Sequence, residues 1–401
     1  MEFLSRWNLL RVGFQAIRSA GHRAKSEMRP EEGRVLSQDS SQALNFTIQK
    51  EDWSQCRFES SSLPEIADGE ALFRVDRFAL TSNNITYAAA GDLLNYWGFF
   101  PTEKGWGRIP AMGFADVVAS RHPEVSVGRR AFGFFPMSTH LLVRPEEAGP
   151  AGFVDGVEHR KGHAPFYRQY AYVSSDSEYE ETREDQFMLL RGLFMTSFLV
   201  DSFLSDNDGF GARTFLIGSA SSKTGIALAY LLSRRSGLKV IGVTSPRNRQ
   251  FVEGLGLYDS VIDYDAVTSL DHTPTTFIDH SGDGGFVNQL HQHLGDALKY
   301  HCVIGATHWN SSPRNAELPG PEPTLFFAPA EAQKRTVEWG AKEFQKRVGK
   351  GWREFSASSD SWIRIERATG EKEVERIYRR VLAGEARPSE GHVLSLWDLV
   401  S

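Results

Sequence analysis

The sequence predicts an α/β protein in two parts: a β-rich N-terminal portion and a doubly wound parallel sheet. Three observations predict it. From Thr214 the apolar run Thr214-Phe-Leu-Ile217 gives way to five small residues and a lysine, and then to the helical run Ile226-Ala-Leu-Ala-Tyr-Leu-Leu232. After it, short apolar strands alternate with helical stretches as far as Leu325-Phe-Phe327, a rhythm that builds a parallel sheet. Before it, from Asn45 to about Val143, short strands follow one another with Gly or Pro between them, as at Pro64, Gly91, Pro110 and Gly128.

In chain order, residues 1–35 stand apart. Arg6, Arg11, Arg18, Arg23 and Lys25 alternate with Phe3, Leu4, Trp7, Leu9, Leu10, Phe14 and Ile17, and no acid falls between Glu2 and Glu27. This reads as a basic amphipathic helix, compatible with a mitochondrial transit peptide, a surface helix or a membrane-touching arm. Asp39-Ser-Ser-Gln42 reads as a linker. Strands are expected at Leu44–Ile48, Ala71–Ala79, Ala115–Ser120, Arg130–Phe135 and His140–Val143. Residues 146–185 are polar and aromatic, acidic from Glu178 to Asp185, and read as a surface excursion. Gln186–Leu204 reads as an apolar helix bridging to the second part.

There, Lys239–Val243, Ser260–Asp263, Thr276–Asp279, Cys302–Gly305 and Leu325–Phe327 read as strands two to six, with a helix at Phe286–Leu294 and a proline-rich loop at 311–323. Glu331–Phe355 reads as one charged helical stretch. Ser361–Arg367 and His392–Trp397 read as strands flanking a helix, Lys372–Gly384, that returns to the β-rich part. The expected domains are a basic extension at 1–40, a β-rich domain at 41–185, a nucleotide-binding domain at 186–335 and a C-terminal return at 336–401.

Composition bounds the function. The chain has 401 residues, 40% hydrophobic and 24% charged, as in an ordinary globular protein of two domains. A net charge of −6 argues against nucleic acid as the main partner. No run approaches 18 unbroken apolar residues, so no integral membrane span is expected. Cys56 and Cys302 are the two cysteines, which suits a reducing compartment and argues against a cysteine-based zinc site. The expected location is cytoplasmic, or mitochondrial if residues 1–35 act as a targeting segment.

The chemistry centres on Thr214–Gly225. A strand, a tight turn and a helix open a dinucleotide-binding unit, because unpaired N–H groups and the helix dipole favour a pyrophosphate. Counted back from Gly225, the G-x-G-x-x-G pattern falls on Ala220, Ser222 and Gly225, so only the last glycine survives. The Ser222 hydroxyl stands where backbone would approach the pyrophosphate, and can replace that contact. Ser219, Ser221 and Thr224 complete the cradle, and Lys223 adds a point charge. At the end of strand two, Thr244-Ser-Pro-Arg-Asn-Arg249 has no acid for a ribose hydroxyl. Thr244, Ser245, Arg247 and Arg249 suit a 2′-phosphate instead, hence NADP(H), with a preference of about ten- to a hundredfold from one charge-assisted contact. An ordinary βα turn and a solvated helix start are the bland alternatives. At the same carboxyl edge, backbone at Gly282 and Gly305 can approach ribose or nicotinamide. His308 is a candidate acid/base beside Trp309, or a structural histidine.

The order of these parts resembles the medium-chain dehydrogenase/reductase superfamily, in its zinc-independent, quinone-reductase-like branch. Ile109–Val118, Gly128-Arg-Arg-Ala-Phe-Gly133, Ser219-Ala-Ser-Ser-Lys-Thr-Gly225 and Ala383–Leu394 carry that resemblance. It implies a GroES-like β-rich domain joined to a Rossmann domain. More narrowly, Phe78-Ala-Leu-Thr-Ser-Asn-Asn-Ile-Thr-Tyr87, Ser219–Thr224, Thr244–Asn248 and Gly305-Ala-Thr-His-Trp309 resemble the DUF2855 family, which implies no defined reaction.

Phe114 and Ala115 stand where zinc-dependent relatives carry a His-Glu pair, so no catalytic metal is expected. Ser82–Gly91 is similar to the segment whose tyrosine lines the cleft of quinone and enoyl reductases. That makes Tyr87 a candidate proton donor, with a packed tyrosine as its alternative, and Asn83 and Asn84 candidate donors to a substrate oxygen, or turn formers. The expectation is a metal-independent NADP(H)-dependent oxidoreductase acting on a small molecule, an activated alkene, quinone or carbonyl compound. A homodimer across strand six is compatible with the resemblance. A non-redox enzyme on the same scaffold (a lyase or tailoring step) and a nucleotide-sensing or interaction protein remain the alternatives.

Overall fold

A computed structural model describes residues 42–163, 165–304 and 317–398. The basic extension before residue 42 lies outside the described residues, as do Gly305, His308 and Trp309.

Six strands form the parallel sheet, in the spatial order Ser260–Asp263, Lys239–Thr244, Thr214–Ile217, Thr275–Asp279, Leu298–Val303 and Thr324–Leu325. The inner strands Thr214–Ile217 and Thr275–Asp279 are buried along their length, which is why they read as unbroken apolar runs rather than alternating ones. Strand order reverses between these two. Their carboxyl ends therefore splay around one crevice, where ligands of open parallel sheets bind. The fifth strand begins at Leu298, earlier than the apolar core of its sequence suggests.

The β-rich part is a nine-stranded sheet centred on Ala71–Leu80 and Pro110–Ser120, with a smaller sheet of Cys56–Ser62, Gln42–Gln49 and Trp106–Gly107 beside it. Residues 146–185 correct the expectation of a surface excursion. Pro145–Gly149, Gly152–Asp155 and Gln169–Tyr172 are strands of the large sheet, and Phe153, Tyr170 and Tyr172 are buried in its core. Their four- and five-residue lengths, set among charges, hide the two-residue alternation. The expected helix Glu331–Phe355 is two, Ala328–Trp339 and Ala341–Ser359, broken at Gly340, whose φ of 79° an L residue adopts poorly. The parallel pair Arg364–Thr369 and Glu390–Ser395 joins the Ala71–Leu80 edge, with helix Gly370–Leu382 between its strands.

The helix Glu184–Asp206 ties the two sheets together. Its Phe187, Leu190 and Phe194 pack in one cluster with Phe114 of the β-rich sheet, Ile226 of the helix after the first parallel strand, and Trp352. The stretch Glu181–Asp206 is long and apolar enough to cross a membrane, but 61% of its apolar window is buried inside the protein. At its start Glu184, 2% exposed, accepts from Arg77 at 2.7 Å, from Arg130 at 2.7 Å and from the Tyr179 hydroxyl at 2.7 Å. Arg130 also holds Asp76 and Asp116.

Candidate functional site

The turn after the first parallel strand is fixed from several sides. Ser219 takes a left-handed φ of 53°, and its N–H donates to the Tyr264 hydroxyl at 3.1 Å. The Tyr258 hydroxyl donates to the Ala220 carbonyl at 2.8 Å. Asn248 Nδ2 donates to Ser221 Oγ at 3.2 Å and so joins the turn to the helix after strand two. Tyr258, Tyr264 and Asn248 were not singled out from the sequence; nothing local in it tells that tyrosines 38 and 45 residues away close the turn.

Ser222 is the N-cap of helix Lys223–Leu232, and its Oγ accepts the Gly225 N–H at 3.1 Å. Its own O–H is left to donate. The N–H groups of Lys223 and Thr224 have no partner among the described residues, as first-turn donors of a helix do. A Cβ on Gly225 would meet the Ser219 carbonyl at 2.9 Å, so the position needs glycine for closeness.

The cations expected on phosphates are placed differently. Lys223 Nζ donates to the carbonyls of Glu390 at 2.8 Å and Pro388 at 3.4 Å. It therefore fastens the helix to the C-terminal strand rather than facing the turn. Burial lowers its ammonium from 10.5 to about 8, against the opposing pull of Glu390. The sign follows: between about pH 8 and 10.5 the unfolded chain holds a proton that the folded chain has released, so this group makes stability rise with pH. Lys223→Met is expected to remove that rise. Urea midpoints of the two proteins at both ends of the window check it, and a difference constant with pH would contradict it.

Arg249 is engaged by Glu253 at 2.9 Å and Asp263 at 3.2 Å, a correction to its expected phosphate role: two carboxylates already hold its guanidinium. Arg247 is exposed, and its guanidinium donates to one neutral acceptor, the Gly384 carbonyl at 3.0 Å. Ser245 caps the same helix end without using its side chain there, and Thr244 is buried at its strand end.

Across the crevice, Asp279 ends the fourth strand. Its Oδ1 accepts from Ser281 N at 2.8 Å, Ser281 Oγ at 2.6 Å and Gly282 N at 3.0 Å, where Gly282 has a φ of 65°. Burial alone would raise this carboxyl, but His301, Ser281 and Gly282 hold it below the usual range.

In the β-rich part, Tyr87 packs its ring on Tyr96 at 4.6 Å and edge-on to Phe134 at 5.5 Å. The Tyr96 and Tyr167 hydroxyls are 3.4 Å apart. Burial first, and then Tyr167, push the Tyr87 phenol up, so it keeps its proton at neutral pH. Asn84 is spent on structure, a correction to its expected role: its Oδ1 accepts from Thr81 N at 2.7 Å and its Nδ2 donates to the Pro110 carbonyl at 2.9 Å. Phe114 stands 0% exposed where the zinc-dependent pattern has a ligand histidine, under the Arg130 guanidinium.

Comparison with known proteins gives a family and a fold. A family model described as "Protein of unknown function (DUF2855)" matches residues 78–387. No curated protein matches in sequence. Among solved structures the chain is similar to CurA from Vibrio vulnificus in complex with NADPH, at 13% identity and a TM-score of 0.59, over 88% of this chain and 98% of that one. It is also similar to CurK enoyl reductase, at 12% identity and a TM-score of 0.55, over 88% and 99% of the two chains. The shared feature is the fold: a GroES-like β-rich part and a doubly wound sheet.

Proposed function

The chain belongs to the DUF2855 family, and from that premise we propose that it is a metal-independent oxidoreductase. It binds NADP(H) at the carboxyl edge of the parallel sheet and passes hydride to an activated alkene, quinone or carbonyl compound. The observation that carries the reading is the turn at Ser222: two orphan N–H groups and a hydroxyl with a proton to give, over a glycine that leaves room for nothing larger. These residues fit a pyrophosphate. The likeness in fold to a protein solved with NADPH and to an enoyl reductase supports it.

Bound there, the reduced nicotinamide supplies the hydride. The chain's own residues do the remaining work. Ser222 Oγ donates to a phosphate oxygen beside the N–H groups of Lys223 and Thr224. Ser219 and Ser221 shape the turn, and Lys223 anchors its helix. Ser245 and Arg247 take the 2′-phosphate, Arg247 exchanging a neutral carbonyl for a charged acceptor. Gly282 lets backbone approach the nicotinamide or its ribose, and His308 is a second candidate acid. Tyr87, protonated at neutral pH, gives its proton to the carbanion or alkoxide left by hydride addition and regains one from water.

A paired titration with NADPH and NADH, followed by the fluorescence of the nine tryptophans, tests the reading. NADPH is expected to bind about tenfold or more tighter, and Arg247→Ala to lose the preference. Failure to bind either nucleotide up to the millimolar range overturns it. Tyr87→Phe is expected to lower turnover about a hundredfold with NADPH affinity unchanged. Unchanged turnover would remove Tyr87 from the chemistry. Binding without turnover across an enone and quinone panel would favour a non-redox or sensing role on this scaffold.

A further inference from the structure

We propose that Asp279, His301 and His291 form one buried unit that holds a single extra proton, and that this unit positions the Ser281–Asp283 turn at the carboxyl edge. The second half rests on the cofactor reading above, which sets the nicotinamide half of NADP(H) against that turn.

The proton count follows from donors and acceptors. His291, on helix Gly284–Leu294, and His301, on strand Leu298–Val303, are each 0% exposed, and Asp279 is 2% exposed. His291 Nδ1 lies 2.8 Å from the Pro319 carbonyl oxygen, which can only accept, so Nδ1 carries hydrogen. His291 Nε2 lies 2.8 Å from His301 Nδ1, and one of those two nitrogens must carry hydrogen as well. Two neutral imidazoles have only these two ring hydrogens between them. His301 Nε2 would then turn a bare lone pair toward Asp279 Oδ2, 3.7 Å away, with no other partner among the described residues. Two facing acceptors in a low-dielectric interior repel, and the His301 nitrogen is left unsatisfied. One further proton converts the contact into an ion pair and brings the unit to zero net charge.

The proton belongs to the histidine pair rather than to the carboxyl. Asp279 Oδ1 accepts three hydrogen bonds from the turn, and such donors favour the charged carboxylate. Among the described residues, the other groups that face Asp279 bring no cation. Burial keeps the Tyr264 phenol and the Cys302 thiol protonated and neutral. It also pushes the adjacent His280 imidazole down to about 4, hence neutral. So the carboxylate that shapes the turn is held ionised by one proton shared over two rings. The turn lies beside the first-strand crevice: a Cβ on Gly218 would stand 3.3 Å from Asp279 Oδ1. His291 and His301 touch no substrate in this account and are positioning residues.

Nitrogen NMR of the histidine-labelled protein without nucleotide, at about pH 8, tests the count. One ring of the pair, assigned by its loss in His301→Gln, is expected to show both nitrogens protonated, and Asp279→Asn to return it to the neutral form. Neutral rings at both positions in the unaltered protein would overturn the proposal. The positioning half is read from binding. His301→Gln is expected to weaken NADPH about tenfold while leaving 2′,5′-ADP, which lacks the nicotinamide half, unchanged. Equal weakening of both, or of neither, would overturn it. If the unaltered protein binds no NADPH, the cofactor reading fails and takes the positioning half with it, while the spectra still decide the proton count.

Discussion

Arg130→Met is expected to cost the protein about 3–5 kcal/mol, the penalty for removing one partner from a buried ion cluster. Arg130 reaches Glu184 with two bonds of 2.7 Å, Asp76 at 2.7 Å and Asp116 at 3.1 Å. Without it three carboxylates are left together, with Arg77 on Glu184 and Asp76 and the Tyr179 hydroxyl on Glu184. The apolar stem survives in methionine, so the loss reports charge rather than packing. The pH dependence gives the sign. In the variant, burial is no longer opposed by Arg130 and raises Asp76 and Asp116 above their unfolded values, so the folded state binds more protons and the defect shrinks as pH falls through the carboxyl range. Urea unfolding of both proteins at neutral and mildly acid pH checks this. A defect under 1 kcal/mol, or one that grows on acidification, would show that the cluster contributes little.

The second large effect is expected at Gly225. Its Cβ would lie 2.9 Å from the Ser219 carbonyl, 3.1 Å from Ser222 Oγ and 3.4 Å from Ile217 Cγ2. Two of these are parts of the turn itself, and Ser219 is already in a left-handed conformation held by Tyr264. Gly225→Val must therefore open the turn or shift the helix, at about 1–3 kcal/mol. It also displaces the Ser222 hydroxyl and the Lys223 and Thr224 N–H groups together. NADPH binding is expected to fall beyond detection in the fluorescence titration, while Arg247→Ala costs only selectivity. A Gly225→Val protein that binds NADPH normally would separate the turn from the nucleotide.

The strand-turn-helix unit was legible because it is local. A buried strand, a cap serine and a glycine at fixed spacing need no distant partner to declare themselves. Of the residues expected on a 2′-phosphate, Ser245 ends its helix without a side-chain cap bond and Arg247 donates to the Gly384 carbonyl, whereas Arg249 answers to Asp263, a residue on another strand. Asn84 stayed open between two readings, because one side chain that caps its own helix and reaches Pro110 looks, in sequence, like any asparagine near a cleft. The aromatic strand Gln169–Tyr172 was missed because four residues are too few for periodicity to stand out against charged neighbours.

What the amino-acid sequence determined by itself was the class of fold, the place of the strand-turn-helix unit and the family, since each rests on short-range pattern. The tertiary structure alone decided where the charges go. Lys223 lies on the C-terminal strand, Arg130 at the hub of three carboxylates, and His301 between His291 and Asp279. The reason is physical. A buried charge or hydrogen must find its partner, and in a parallel sheet that partner comes from another strand or another layer, at a separation in sequence that no local pattern records.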